Sequence, residues 1–279
     1  MASPIAELPT IIITGASSGI GAYCARALKA DGWRVFATAR KQQDIEALQR
    51  DGFEAFYLDY REPDSIEALV SAVLERTGGR LDALYNNGAH AQAGAVEDLP
   101  VEALREQFEA NVFGWHDLTR RVLPAMRAQG HGRLVHCSSI LGLMPARLRG
   151  AYCASKYAVE GLMLVLRQEL EDSGIHVALI EPGPVESNIH KNGMTWFLKY
   201  IDYANSRYRK DYRAQLEQAR KSERKTRASP QVVYKALHHA LVSPRPRAHY
   251  VVTTPARAGI VLKRLLPARL LYRILSKAA

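Results

Sequence analysis

Tyr152-Cys153-Ala154-Ser155-Lys156 sets a phenol and an ammonium four residues apart. On a helix that spacing puts both groups on one face, within reach of a common ligand. A free tyrosine titrates near ~10, so passing protons near neutrality calls for a drop of about 3 units, or about 4 kcal/mol. A cation ~4 Å away at an effective dielectric of ~20 supplies about that much. The pair is therefore a candidate proton donor and acceptor, although the pattern by itself is common. A second cluster is Thr14-Gly15-Ala16-Ser17-Ser18-Gly19-Ile20-Gly21, with glycines spaced G-x-x-x-G-x-G. Glycines at a strand-to-helix turn let backbone N–H groups approach a pyrophosphate, and the positive end of the helix dipole favours that charge.

These residues need a strand before the turn and helices to carry the rest. Residues 8–14 are a short β-branched run ending at Gly15, and Ile20 to Ala30 has helical spacing. Apolar runs at 34–39, 55–58, 81–85, 133–137 and 176–180 read as further strands, with amphipathic helices at 43–50 and 65–76 and others between the later strands. Buried strands alternating with helices predict an α/β fold: a single doubly wound parallel sheet (Rossmann fold) with helices on both faces. The glycine turn then follows the first strand of a βαβ unit, where it is a strong dinucleotide signal. Such sites bind a ribose 2′-hydroxyl with an acid about 20 residues further on, or a 2′-phosphate with an arginine. Here the second strand ends Ala39-Arg40-Lys41, with no acid. That favours NADP(H), the other reading being two cations capping a strand at the surface. Asp59, ending the third strand, is placed to accept a hydrogen bond from an adenine amino group.

Length and charge bound the remainder. The 279 residues, 47% hydrophobic, suit one large domain. No run reaches the ~20 apolar residues that span a bilayer, and Met1 to Pro9 lacks a basic leader, so a cytoplasmic location is expected. Cys24, Cys137 and Cys153 have no metal-ligand spacing and read as apolar fillers; no metal is expected. The net charge of +10 is uneven: residues 1–190 hold 18 Lys/Arg against 24 Asp/Glu, and residues 191–279 hold 20 against 4. The chain therefore divides into an acidic 1–190 core and a basic 191–279 segment, taken as lid and helical C-terminal extension of the same domain. A basic segment points to an anionic partner or to a solvated face. It carries no nucleic-acid reading module, so none is expected to bind there.

Taken together, the motifs resemble those of the classical short-chain dehydrogenase/reductase family over roughly residues 8–190. Thr14 to Gly21 matches its cofactor fingerprint, Asp59 its adenine contact, and Asn86-Asn87-Gly88-Ala89 the motif after its fourth strand, with two small residues swapped. Asn111 sits in Ala110-Asn111-Val112-Phe113-Gly114, Ser139 precedes Tyr152 by 13 residues, and Pro182-Gly183 follows the sixth strand. The resemblance implies that Tyr152 protonates a carbonyl oxygen as hydride arrives, and that Lys156 binds the nicotinamide ribose and lowers the Tyr152 pKa. It further implies that Ser139 hydrogen-bonds the carbonyl oxygen and that Asn111 holds a water relaying protons to Lys156. Cofactor contacts are implied for Gly15, Ser17, Ser18, Gly19, Ile20, Gly21, Arg40, Lys41, Asp59, Tyr60, Asn87, Gly88, Ala89, Lys156, Pro182, Gly183, Val185 and Ser187. Ser138 reads as a strand-end hydroxyl satisfied by backbone, and His90 and His136 as core or pocket-wall residues.

Val35 to Arg40, Ile180 to Val185 and the closing Val261 to Pro267 are similar to the branch holding retinol dehydrogenases, 17β-hydroxysteroid dehydrogenases and bacterial NADPH-dependent aldehyde reductases. The implied reaction is reduction of a lipophilic aldehyde or ketone, or its reverse. Steroid, retinoid or 3-oxoacyl-lipid substrates stay open, as does a non-catalytic NADP-binding regulator. Met194, Trp196, Phe197, Leu198, Tyr200, Ile201 and Tyr203 read either as a greasy pocket wall or as helix packing. Val159, Leu162, Met163 and Leu166 mark the helix on which the family builds its dimer interface, so a homodimer or homotetramer is implied. Residues 259–277 recur at four-residue spacing (Leu262/Leu266, Leu270/Ile274, Arg269/Arg273/Lys277), broken at Pro267. Peripheral contact with an anionic membrane is one reading of that pattern; docking on the chain's own domain or a sister subunit is the other.

Overall fold

Ile11, Ile12 and Ile13 are wholly buried, as a strand covered on both faces requires. A computed structural model describes residues 8–221 and 227–276. Its strands are β1 (Thr10–Ile13), β2 (Arg34–Ala39), β3 (Glu54–Tyr57), β4 (Ala83–Asn86), β5 (Gly132–Cys137), β6 (Ile175–Pro182) and β7 (His249–Val252). They form one parallel sheet in the order β3-β2-β1-β4-β5-β6-β7. The chain reverses its direction of travel across the sheet between β1 and β4, the crevice where open α/β sheets take their ligands.

The helices are α1 (Gly19–Ala30), α2 (Gln42–Arg50), α3 (Pro63–Arg76), α4 (Val101–Phe108), α5 (Gly114–Gln129), α6 (Gly150–Glu169), α7 (Ile189–Tyr200), α8 (Arg209–Lys221), α9 (Gln231–Val242), α10 (Thr254–Leu265) and α11 (Ala268–Leu275). Between α4 and α5 the chain makes one π-helical turn, Glu109–Phe113. The doubly wound sheet expected from the alternating pattern is thus present, and all three cysteines are buried and free.

The basic C-terminal third is not all extension. β7 pairs with β6, and Val233, Leu237 and Leu241 of α9 belong to the main core with Tyr250 and Val252. Position 190 therefore does not separate core from lid. What does stand apart is a second apolar cluster, in which Phe197, Ile201 and Tyr212 pack on Ala93, Ala95 and Leu148. Phe197 and Ile201, one turn apart, take up this packing, while Leu198 points outward, so only part of the aromatic run is free to wall a pocket. On α6, Val159 and Met163 turn into the core and Leu162 and Val165 remain exposed. The outward face is therefore shifted from the stripe read in the sequence, because the buried stripe is already set by Tyr152 and Lys156. Lys277 lies outside the described residues.

Candidate active site

The glycine turn is anchored before any ligand is considered. Ala16 N–H donates to the Thr38 carbonyl (2.9 Å), and the Thr14 hydroxyl accepts from the N–H groups of Asn87 (2.8 Å) and Gly88 (3.0 Å). The turns after β1 and β4 are thereby clamped together at the crevice. Gly15 (φ +64°) and Gly19 (φ +57°) are left-handed, and a β-carbon on Gly15 would lie 2.7 Å from Gly88 Cα. On Gly21 it would lie 2.3 Å from the Gly15 carbonyl oxygen. Ser187 is brought to the same place, 3.1 Å from where a Gly19 β-carbon would be.

The start of α1 has no side-chain cap from Ser18 and no acid in its first turn, so its leading N–H groups and the helix dipole are left for an anion. Arg40 is exposed at the end of β2 and makes no hydrogen bond or ion pair among the described residues, although its charge reaches Asp59 and His90. Lys41, also exposed, stands at the N-cap of α2. This donor set fits a phosphorylated dinucleotide.

Two expected cofactor residues are otherwise engaged. The buried Asp59 carboxylate accepts from Arg61 Nη2 (2.6 Å) and Nε (3.0 Å). Burial alone would raise its pKa, but the Arg61 hydrogen bonds outweigh it and hold the carboxyl below its ordinary range. Its oxygens are thus bound to arginine rather than presented freely to an adenine amino group. The Tyr60 hydroxyl hydrogen-bonds inward with Asn86 Oδ1 (2.7 Å) and Thr14 Oγ1 (2.8 Å), and its backbone packs on Gly114, so the residue belongs to the core. Asn87, Gly88 and Ala89 are half-buried at the crevice, with Gly88 held by Trp115 Nε1 (2.8 Å). Gly183 packs on Thr253 and Ala256, and Val185 is buried beside Ala228.

At the carboxyl end of β5 and on α6, Ser139, Tyr152 and Lys156 converge. The Ser139 hydroxyl accepts from Leu141 N–H (3.1 Å) and lies against the Tyr152 phenol. Lys156, only 1% exposed, donates to the Cys137 carbonyl (2.8 Å) and sits 4.2 Å from the Trp115 ring centroid and 5.8 Å from that of Tyr152. An ammonium has three donors and this one has a single acceptor among the described residues, leaving two for a bound ribose. Burial pushes the Lys156 pKa down to about 8. The Tyr152 phenol is held well above its ordinary range, first by burial and then by Cys137, with the Ser139 hydrogen bond opposing. Lys156 does not supply the lowering expected of it: the ammonium is turned to the Cys137 carbonyl, and only Arg149 acts as a lowering cation, weakly.

Asn111 lies in the π-turn, fully buried. Its Oδ1 accepts from His90 N–H (3.1 Å), and its Nδ2 donates to the His90 carbonyl (3.0 Å) and Ser155 Oγ (3.3 Å). The side chain therefore pins the segment after β4, and a water at this residue would have to use the main chain. His90 stacks on Trp196 with ring centroids 4.5 Å apart, and burial lowers its pKa to about 4, so it is a neutral wall. His136, lowered to about 3 by burial, is a core residue beside Asn86. Ser138 differs from expectation: its buried hydroxyl has no backbone partner and lies near Glu160 without a well-formed hydrogen bond.

The Cys137 carbonyl, Trp115 and Glu160 were not singled out in the sequence, where Cys137 read only as an apolar filler. The first acts through a carbonyl that every residue possesses, so its type carries no signal. Glu160 did have one, recurring four residues after Lys156 on the same buried face.

The short chain dehydrogenase family model matches residues 9–196. The oxidoreductase YbbO of Escherichia coli K12 is 38% identical over 266 residues, 95% of this chain and 93% of that one. An NADPH-dependent 3-dehydrocapnine reductase of Ornithobacterium rhinotracheale is 31% identical over 277 residues, 95% of each chain. Among solved structures, a short-chain dehydrogenase from Streptomyces avermitilis superposes with a TM-score of 0.79 at 29% identity, covering 98% of both chains.

Proposed function

The chain belongs to the short-chain dehydrogenase family, an oxidoreductase acting on CH–OH and C=O groups with a nicotinamide cofactor, and from that premise we propose that it is an NADPH-dependent reductase of a lipophilic aldehyde or ketone. The observation that carries the reading is the buried meeting of Ser139, Tyr152 and Lys156. When bound, NADPH supplies the hydride that turns the carbonyl carbon into an alcohol carbon. Tyr152 gives the proton to the carbonyl oxygen, and its burial, by keeping the phenol neutral, holds it in the donating form that reduction needs. Ser139 donates a hydrogen bond to the same oxygen as charge develops there. Lys156 uses its two free N–H groups to orient the nicotinamide ribose and, largely charged at pH 7, favours the tyrosinate left behind. Asn111 fixes the backbone at His90, and a water at its main chain feeds protons toward Lys156.

NADP preference rests on Arg40 and Lys41. A charge-assisted hydrogen bond to a 2′-phosphate contributes about 1.5–3 kcal/mol, or roughly ten- to hundredfold in affinity. The 3-dehydrocapnine reductase is named as NADPH-dependent, which supports the same choice. A lipophilic substrate is supported by the uncharged Ile140 to Met144 stretch after Ser139. The exposed Leu162 and Val165 on α6 support assembly as a homodimer or homotetramer. A cytoplasmic location accords with the absence, among the described residues, of any helix long and apolar enough to cross a membrane.

The test is NADPH consumption with a panel of aliphatic and aromatic aldehydes, retinal, ketosteroids and 3-oxoacyl lipids. Tyr152→Phe should lower turnover at least about a hundredfold, the usual worth of a positioned acid, while NADPH binding followed by fluorescence persists. Unchanged turnover would remove Tyr152 from the reaction.

A further inference from the structure

Beyond the site, the helical pair α10–α11 presents a surface that is both basic and apolar. Residues 254–276 contain Arg257, Lys263, Arg264, Arg269 and Arg273 and no acid. Val261, Leu262, Leu265, Leu270, Tyr272 and Ile274 are all exposed, Leu265 by 74%. In α11 Leu271 is buried and Leu275 half-buried, and the other side chains are exposed. Leu270 and Ile274 share a face, and Arg269 and Arg273 flank it. Contiguous exposed apolar side chains rimmed by cations mark an interaction surface rather than an ordinary solvated face.

We propose that α10–α11 is a docking surface for an anionic lipid bilayer. Charge rules against a symmetric pairing, in which a second copy meeting this face through its own would bring five cations against five with no acid between them, and it matches an anionic leaflet. The apolar side chains then enter the boundary between headgroups and acyl chains, as in-plane amphipathic helices do. Contact is peripheral, since no described helix could span the membrane.

The surface adjoins the site. Lys263 donates to the Leu143 carbonyl, and Gly259 packs against Met144, so α10 covers the stretch just after Ser139. Resting on the reductase reading, docking would present the mouth of the site to the bilayer and deliver a lipid-borne carbonyl to it.

The experiment sediments the full-length protein with phosphatidylcholine vesicles, with and without phosphatidylglycerol. Co-sedimentation with the anionic vesicles only, weakened by salt, is expected. Each cation near such a surface strengthens partitioning about fivefold, so a triple Arg264→Ser, Arg269→Ser, Arg273→Ser variant should bind roughly a hundredfold more weakly. Leu265→Ser with Ile274→Ser should also weaken binding, at unchanged charge. Both variants should keep wild-type turnover of a water-soluble aldehyde, which shows the fold intact. Equal binding to neutral and anionic vesicles, no binding to either, or binding that neither variant alters would overturn the proposal. It would equally be overturned if the variants reduced the oligomer mass by light scattering and left vesicle binding unchanged, because the face would then be a subunit contact. Vesicle binding without any turnover would count against the reductase reading and leave the docking surface standing.

Discussion

Glu160 extends the buried stripe of α6 one turn beyond Lys156, and replacing it should remove a loss of stability that the protein suffers as pH rises from about 4.5 to about 7. Its side chain is 7% exposed, and neither carboxylate oxygen has a hydrogen-bond partner among the described residues. Around it stand Glu181 of β6, wholly buried, and His249 of β7, whose Nδ1 lies 3.6 Å from Glu160 and 2.6 Å from Glu181. Lys156 is on the same helix, with Ser138 at the end of β5. Burial, reinforced by the Glu181 charge, raises the Glu160 pKa from 4.5 to about 7, against weaker lowering by Ser138, His249 and Lys156. Between those two pH values the folded chain keeps a proton at Glu160 that the unfolded chain has lost, so stability falls as pH rises through the window. At 1.36 kcal/mol per unit the full effect is about 3 kcal/mol.

Glu160→Gln cannot titrate. Its stability relative to wild type should be flat in acid, rise from about pH 4.5, and level off above about pH 7 some 3 kcal/mol higher. The unmet hydrogen bonds of a buried amide add a constant offset, so the slope of the difference is the measurement, not its sign at any one pH. Urea denaturation of both proteins across that range, with unchanged m, supplies it. A difference that does not vary with pH, or that runs the other way, would refute the reasoning. His249 works in the same sense. The Glu181 hydrogen bond raises its folded pKa, so its stabilisation is full below the ordinary value of 6.5 and is lost as pH rises through the raised one.

Two further outcomes bear on the cofactor. Arg40→Asp should weaken NADPH roughly ten- to hundredfold while leaving NADH little changed, read as the ratio of kcat/KM values; an unmoved ratio would mean the phosphate is held elsewhere. Gly21→Ala places a β-carbon 2.3 Å from the Gly15 carbonyl oxygen, so the turn must shift. It should cost about 1–3 kcal/mol in urea melts and weaken NADPH and NADH alike, whereas wild-type affinity would show that the turn tolerates displacement.

The sequence is most readable where one physical constraint acts on neighbouring residues. Strands buried on both faces must be apolar throughout, so β1, β2, β4, β5 and β6 stand out as runs, and the turns after β1 and β4 carry glycines where their backbones touch. β7 escapes because His249-Tyr250-Val251-Val252 is four residues long and begins with a half-exposed histidine that serves Glu181. Spacing along α6 also shows that Tyr152 and Lys156 share a face, but not what the ammonium prefers. The Coulomb attraction of a nearby cation can be estimated from four residues of helix, whereas the desolvation that overrides it depends on Trp115, Cys137 and the sheet beneath, which come from distant parts of the chain. Asn111 shows the same limit: its position in the motif is legible, but the consumption of its amide by His90 and Ser155 follows from a π-turn with no residue signature. The uneven charge divides in the same way. β7 and α9 return to the core, whereas the cations of α10–α11 have no ion pair with an acid among the described residues and stand beside the exposed leucines. Exposed apolar surface beside cations that face no acid marks a contact surface, and that is the physical reason to look there for the protein's second contact.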